Sequence, residues 1–148
     1  MKYKSLESSV CHCINLRRAS RSLTEYYDRA LKPCGLTVCQ YSIMRNIQRI
    51  EPCSVSELSK NIRLDRTTLV RNLKSLIQRG LISDETPAKQ RARILHCSPD
   101  GDNLLDKAVH EWEKAQKELE SCIGQKEIRQ LEEMLLKIEE LNEKEESQ

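Results

Sequence analysis

Hydrophobic side chains recur every three or four residues along most of this chain, which is the pattern of amphipathic helices. The four glycines and four prolines fall between these periodic segments, so they mark where helices begin or end. The longest segments predict helices over about residues 6–31, 99–123 and 128–141, with Gly124 separating the last two. The chain is therefore predicted to be mainly α-helical.

Three shorter helices are predicted in the middle of the chain, because each has a capping residue in front of it. Thr37-x-x-Gln40 and Ser54-x-x-Glu57 have the capping-box spacing, in which two side chains satisfy backbone N–H groups at a helix start. Asp65 is predicted to cap the third helix. These caps place helices over about residues 38–50, 55–62 and 66–79.

The hydrophobic pattern changes after Gly80. Leu81-Ile82 is a short apolar pair, residues 83–90 are polar, and residues 91–97 can be extended, which predicts a two-stranded hairpin with a basic tip. Two short helices joined by a tight turn and followed by a basic hairpin are typical of a winged helix-turn-helix.

The helix after Asp65 is predicted to contact duplex DNA. Basic and hydroxyl side chains at helical spacing share its outer face, while the leucines would pack behind them. Such side chains can hydrogen-bond base edges and phosphates in the major groove, and the hairpin tip would reach a flanking minor groove. The residues assigned to DNA are Arg66, Thr67, Thr68, Val70, Arg71, Lys74, Lys89, Arg91 and Arg93. From charge alone, the same set would also suit a solvated surface.

The charge distribution favours this assignment more than the net charge of +2 does. Residues 60–93 contain nine basic and three acidic residues, whereas residues 111–148 contain twelve acidic and six basic ones. A basic middle suggests a polyanionic partner. The alternative function is a helical protein–protein adaptor without DNA binding, which would use the acidic last helix and leave the basic segment unexplained.

No catalytic residue, metal site or cofactor is predicted. Cys11, His12 and Cys13 are consecutive on a helix and point about 100° apart, and His96 and Cys97 would face opposite sides of a strand. The seven cysteines are an odd number without C-x-x-C spacing, which favours reduced thiols. No stretch has the roughly 18 apolar residues of a membrane span or the pattern of a signal peptide. A cytoplasmic protein that does not bind membranes is expected.

Several motifs in order resemble the MarR family of bacterial transcriptional regulators, from about Val10 to Leu141. The most specific stretch is Leu64-Asp65-Arg66-Thr67-Thr68-Leu69-Val70-Arg71-Asn72-Leu73, followed by Gly80-Leu81-Ile82. The other matching segments are Leu16-Arg17-Arg18-Ala19-Ser20-Arg21, Leu36-Thr37-x-x-Gln40-Tyr41, Val55-Ser56-Glu57-Leu58-Ser59 and Ser98-Pro99-Asp100-Gly101.

The resemblance implies a homodimer that binds a pseudo-palindromic operator, usually as a repressor, and releases it on a small-molecule or oxidant signal. It implies one domain over residues 1–148, with a winged helix-turn-helix lobe over 36–97 and long N- and C-terminal dimerisation helices over 6–34 and 98–145. The wing departs from the family, because the usual aspartate-x-arginine motif falls on Lys89-Gln90-Arg91 and lysine replaces the aspartate.

The apolar surface also suggests a homodimer. A small winged domain is not expected to cover the apolar residues of the last two helices, and a large exposed patch marks an interface. These residues are Leu105, Val109, Trp112, Leu119, Ile123, Ile128, Leu135 and Ile138.

Cys13 is a candidate redox sensor. Its place on the first helix is similar to that of the reactive cysteine of peroxide-sensing members of the family, and Tyr27 matches one of the tyrosines those members use across the dimer. Arg17 lies one turn from Cys13, and a cationic neighbour favours a reactive thiolate. Arg17 and Val38 stand where those members have further tyrosines. Inert packing of a small side chain is the alternative.

Overall fold

The structure, a computed structural model, describes residues 6–85 and 93–143. Six α-helices and one two-stranded sheet occur in these residues. In chain order they are α1 (His12–Leu31), α2 (Val38–Ile50), α3 (Val55–Ile62), α4 (Arg66–Gln78), β1 (Ile82–Asp84), β2 (Leu95–Cys97), α5 (Pro99–Ile123) and α6 (Gln125–Glu143). The chain divides into two compact units, residues 1–112 and residues 113–148.

The prediction of a mainly helical winged fold is confirmed, and the predicted caps account for the helix starts. At α2, Thr37 accepts a hydrogen bond from the backbone N–H of Gln40, whose side chain accepts one from the N–H of Thr37. Ser54 and Glu57 form the same reciprocal pair at α3. Each box satisfies two N–H groups that have no partner inside the helix.

The predicted start of α1 is wrong, because the helix begins at His12 rather than near Leu6. The chain before it bends at Val10, and the Asn15 side chain binds the backbone of Ser9 through both of its polar atoms. An asparagine side chain that pairs with a preceding backbone segment offers that segment an alternative to helical hydrogen bonds. The predicted end at Leu31 is confirmed, and one turn of 3-10 helix follows it.

The core of the first unit is aliphatic. Its fully buried side chains come from α1 to α5 and from both strands, and they are Leu31, Ile43, Met44, Ile47, Leu58, Leu69, Leu73, Leu76, Ile82, Leu95 and Leu105. Leu105 is only 1% exposed, and the Trp112 ring stacks on Tyr41 with a centroid distance of 5.8 Å. Both residues were predicted to need a dimer partner. That prediction is wrong for Leu105, because the first turns of α5 pack on the core, whereas Trp112 packs against the core and stays partly buried.

The hairpin closes the lobe next to the start of α5. Strands β1 and β2 are antiparallel, with Ser83 opposite His96, and a single β-bridge between Cys53 and Leu95 extends the sheet. At Gly101, a Cβ atom would lie 2.2 Å from the carbonyl oxygen of Leu81. The glycine of the Ser98-Pro99-Asp100-Gly101 motif is therefore required by a close backbone approach.

The second unit exposes much of its apolar surface. Helix α6 has no buried residue, and Met134, Leu136, Ile138 and Leu141 are each about half exposed or more. Within residues 6–85 and 93–143, no helix combines the length and apolarity that crossing a membrane requires.

Candidate nucleic-acid interface

The candidate interface is built on α4, which follows α3 after a three-residue turn. Arg63 ends α3 in the left-handed conformation with φ 53°, and Asp65 then adopts an extended conformation as the N-cap of α4. A carboxylate oxygen of Asp65 accepts a hydrogen bond of 2.9 Å from the backbone N–H of Thr68. Hydrogen bonds from Thr68 lower the pKa of the Asp65 carboxyl, so the cap is ionised at neutral pH.

The two faces of α4 differ completely in exposure. Leu69, Leu73 and Leu76 are at most 2% exposed and anchor the helix on the lobe. All six α4 residues assigned to DNA lie outside this buried face: Arg66, Thr67, Val70, Arg71 and Lys74 are exposed and Thr68 is partly buried. The structure therefore brings these six together on one accessible helix, at the spacing that the sequence indicated.

A polar contact that the sequence did not indicate joins α4 to α2. The Asn72 side-chain amide donates to the backbone oxygen of Thr68 at 2.8 Å and to Cys39 Sγ at 3.6 Å. Burial raises the pKa of the Cys39 thiol, with Asp28 and Asp65 acting in the same direction and Arg71 opposing them. The neutral thiol of Cys39 thus packs against α4 and accepts a hydrogen bond from Asn72.

The hairpin positions Arg93 through an ion pair. Arg93 Nε donates to Asp84 Oδ2 at 2.6 Å, and the two side chains are 49% and 16% exposed. Asp84 was not singled out from the sequence, because its partner lies nine residues away across the hairpin. Lys89 and Arg91 lie outside the described residues.

The structure places the two redox candidates on α1 but far apart. Cys13 is exposed in the first turn, whereas Tyr27 is 9% exposed near the end of the helix. At a rise of about 1.5 Å per residue, 14 residues separate them by about 21 Å. Within one chain they cannot touch. Arg17 is exposed one turn from Cys13, on the same helix face.

An open groove of about 830 Å³ runs along α1. Its lining includes three arginines and two apolar side chains, and the residues are Ile14, Leu16, Arg17, Arg18, Ser20 and Arg21. In the part of the chain that the structure describes, no group of three or more His, Cys, Asp or Glu side chains could hold a metal ion.

Comparisons with known proteins agree with this geometry. Residues 36–87 match the sequence model of the MarR family. The M. tuberculosis transcriptional regulator MosR, solved in complex with DNA, is 34% identical, over 87% of this chain and 96% of MosR, with a TM-score of 0.74.

Two more distant structures share the fold. The transcriptional repressor CouR, bound to a 23-mer DNA duplex, is 22% identical over 90% of this chain and 99% of CouR, with a TM-score of 0.76. MepR of S. aureus, in a complex with DNA, is 16% identical over 88% of this chain and 97% of MepR, with a TM-score of 0.74.

The identity to MosR extends over almost all of that regulator, and the family match covers α2 to β1, including α4 and its buried leucines. The chain belongs to the MarR family of winged-helix, DNA-binding transcriptional regulators.

Proposed function

We propose that this protein is a homodimeric repressor that binds a pseudo-palindromic operator in duplex DNA. The observation that carries the proposal is the recognition face of α4, defined as Arg66, Thr67, Thr68, Val70, Arg71 and Lys74. Three cationic side chains are exposed on it while the leucines behind them are buried. Because the helix is anchored from one side only, its other side is free to enter a major groove.

The residues of this face have different roles in the proposal. Arg66 and Arg71 can each donate two hydrogen bonds to a guanine, and Thr67 and Thr68 can bind base edges or phosphates near the N-terminus of the helix. Lys74 lies one turn further along and would neutralise phosphate.

The wing would add contacts that depend less on sequence. The Asp84 carboxylate holds the Arg93 guanidinium at the base of the hairpin while about half of the arginine side chain remains exposed. Arg93, with Lys89 and Arg91 of the tip, would contact the DNA backbone or a flanking minor groove.

The dimer would form through the terminal helices. On α6, Met134, Ile138 and Leu141 follow at intervals of four and three residues and therefore share one exposed face. On α1, Ile14 and Leu23 are also about 40% exposed. A two-fold dimer would present two recognition helices about 34 Å apart, one turn of DNA.

As a repressor, the dimer would occupy its operator and exclude other proteins, and a signal would release it. MosR was solved with DNA, and CouR is described as a repressor bound to a DNA duplex. The signal would be a small-molecule effector or an oxidant acting at Cys13. Oxidation of that exposed thiol would add a polar group to a helix of the proposed dimer interface and change the spacing of the recognition helices.

DNA binding is tested with a sequence selected from random duplexes, by fluorescence anisotropy at several salt concentrations. Arg71→Ala is expected to cost about 1–3 kcal/mol and to relax specificity, whereas Arg93→Ala should weaken all sequences similarly and reduce the salt slope. Arg45→Ala is the matched control, because Arg45 is an exposed arginine on α2 outside the recognition face. Wild-type affinity in Arg71→Ala would contradict the assignment, and no DNA binding by the wild type would favour the adaptor.

The proposal that an oxidant acts at Cys13 is tested by comparing the wild type with Cys13→Ser. Operator affinity is measured before and after dilute organic hydroperoxide, with all cysteines followed by mass spectrometry. Loss of binding in the wild type alone would support the sensor. Equal responses would assign Cys13 to packing and leave a small molecule as the signal.

A further inference from the structure

We propose that Val70 is a specificity-determining residue that reads the C5-methyl group of a thymine in each half-site. This inference rests on the proposed function, because it requires the recognition face of α4 to enter the major groove. It adds a chemical requirement that the basic residues alone do not impose, namely a methyl group at one position of the operator.

Val70 is an apolar residue exposed in a cationic setting. Its relative exposure is 45%, in contrast to 0% for Leu69 and 2% for Leu73 on the same helix. With 100° between successive residues, Val70 lies about 40° from both Arg66 and Lys74 around the helix. Its isopropyl group therefore lies between two cations that are also exposed.

The anchoring of α4 on the lobe does not depend on a valine at position 70. A β-branched residue loses side-chain freedom in a helix, so at an exposed helical position valine is less favourable than alanine. Leu69, Leu73 and Leu76 already anchor α4. Because 45% of Val70 stays exposed after the lobe has folded, burying the rest of its isopropyl group would need a surface outside the lobe.

The major groove offers one apolar group that would match. Guanine, adenine and cytosine edges present hydrogen-bond donors and acceptors, whereas thymine also presents its C5-methyl group. Burying one methyl or methylene group is worth about threefold to fourfold in affinity, and good packing raises this toward tenfold. The arginines of the recognition face can hydrogen-bond guanines, and Val70 would contact the methyl group of a thymine next to those guanines.

The experiment uses the full-length protein and the duplex selected from a random library. Each thymine of the duplex is replaced in turn by deoxyuridine, which lacks only the C5-methyl group. For the wild type, replacement at one thymine of each half-site is expected to lower affinity about threefold to tenfold. Val70→Ala is expected to bind the thymine and uracil duplexes equally at that position.

Two further variants keep the test decisive. Lys74→Ala should weaken binding to every duplex but retain the wild-type response to uracil, because Lys74 neighbours Val70 without being apolar. Val70→Thr retains one methyl group and should show a reduced response. It also replaces Val70→Ala as the test variant if the latter does not fold, as judged by its melting temperature.

The outcomes separate the two proposals. If uracil has the same effect on the wild type and on Val70→Ala at every thymine, or has no effect at all, the thymine contact is wrong while operator binding stands. If the wild type selects no sequence, the proposed function fails and this inference fails with it.

Discussion

Helices α4 and α6 are both amphipathic, but only α4 buries its apolar face. Helix α4 buries three leucines almost completely and leaves its cations exposed. Helix α6 buries no residue, and its exposed side chains include Met134, Ile138 and Leu141. Helix α4 therefore exposes charge to solvent, and helix α6 exposes apolar surface.

The difference indicates that the exposed faces of α4 and α6 suit two different kinds of binding partner. Exposed cations on an anchored helix suit a polyanion, because they remain hydrated until phosphate displaces water and counterions. Exposed apolar side chains in a row suit another protein surface, because water is an unfavourable environment for them. The proposed operator and the proposed second copy of the chain thus correspond to different helices and can be tested separately.

The largest expected effect comes from truncating a leucine on the buried face of α4. Leu73→Ala should lower the free energy of unfolding by about 2–5 kcal/mol, because it removes methyl groups from a packed core and leaves a cavity. Leu136→Ala, at a leucine 50% exposed on α6, should change it by less than about 0.5 kcal/mol. Urea denaturation at one protein concentration measures both. Similar losses would show that α6 is packed as tightly as α4.

The next prediction concerns the exposed face of α6. Ile138→Glu places a charge in the row formed with Met134 and Leu141, and it should weaken the proposed dimer at least about 30-fold, or about 2 kcal/mol. Leu136 is similarly exposed, but it lies about 160° around the helix from Ile138, so Leu136→Glu should leave the dimer intact. Sedimentation velocity distinguishes the dimer from the 17.2 kDa monomer. If the wild type is a monomer at micromolar concentration, the exposed apolar face of α6 does not form a dimer interface.

A smaller effect is expected at Gly101, where the start of α5 packs closely on the backbone of Leu81. Gly101→Ala should destabilise the protein by about 1–3 kcal/mol, because its Cβ would lie 2.2 Å from the Leu81 carbonyl oxygen. Gly80 differs in kind, since it has φ 70° and no atom within 4 Å of an added Cβ. Asparagine tolerates the left-handed conformation, so Gly80→Asn should cost less than Gly80→Ala, whereas Gly101→Asn should be no better than Gly101→Ala. Thermal unfolding of the four variants tests this difference.

Local signals made most of the fold predictable. Capping boxes, the Asp65 cap and the glycine stops act within a few residues, so the sequence placed α2, α3 and α4 closely. The start of α1 was misjudged because the Asn15 side chain turns the preceding segment away, which periodicity does not reveal. Leu105 was assigned to an interface because only the tertiary packing of α5 shows that the core of the first unit covers it.

The local features of the candidate site were likewise predictable from the sequence, and its long-range contacts were not. Helical spacing alone grouped the α4 residues on one accessible helix. The Asn72 to Cys39 contact and the Asp84 to Arg93 ion pair join residues 33 and nine positions apart, and a pattern along the chain carries no information about them. Pairings across the tertiary structure were therefore the part that the sequence did not predict.

The smallest predicted effect concerns Cys97, a core residue of the lobe beside the start of α5. Burial, with Asp102 and Glu51 nearby, raises the pKa of the Cys97 thiol to about 12 from an ordinary value of 9.0. The folded state therefore retains a proton that the unfolded state loses, so this contribution to stability is full below about pH 9 and declines as the pH rises toward 12. Between about pH 8.5 and 9.5 the loss from this one group should be about 0.7 kcal/mol. Cys97→Ser and Cys97→Ala change the packing differently, yet both should flatten the alkaline slope of stability by this amount, as measured by urea denaturation at the two pH values. An unchanged slope in both variants would show that the pKa of the Cys97 thiol is not raised by its burial at the start of α5.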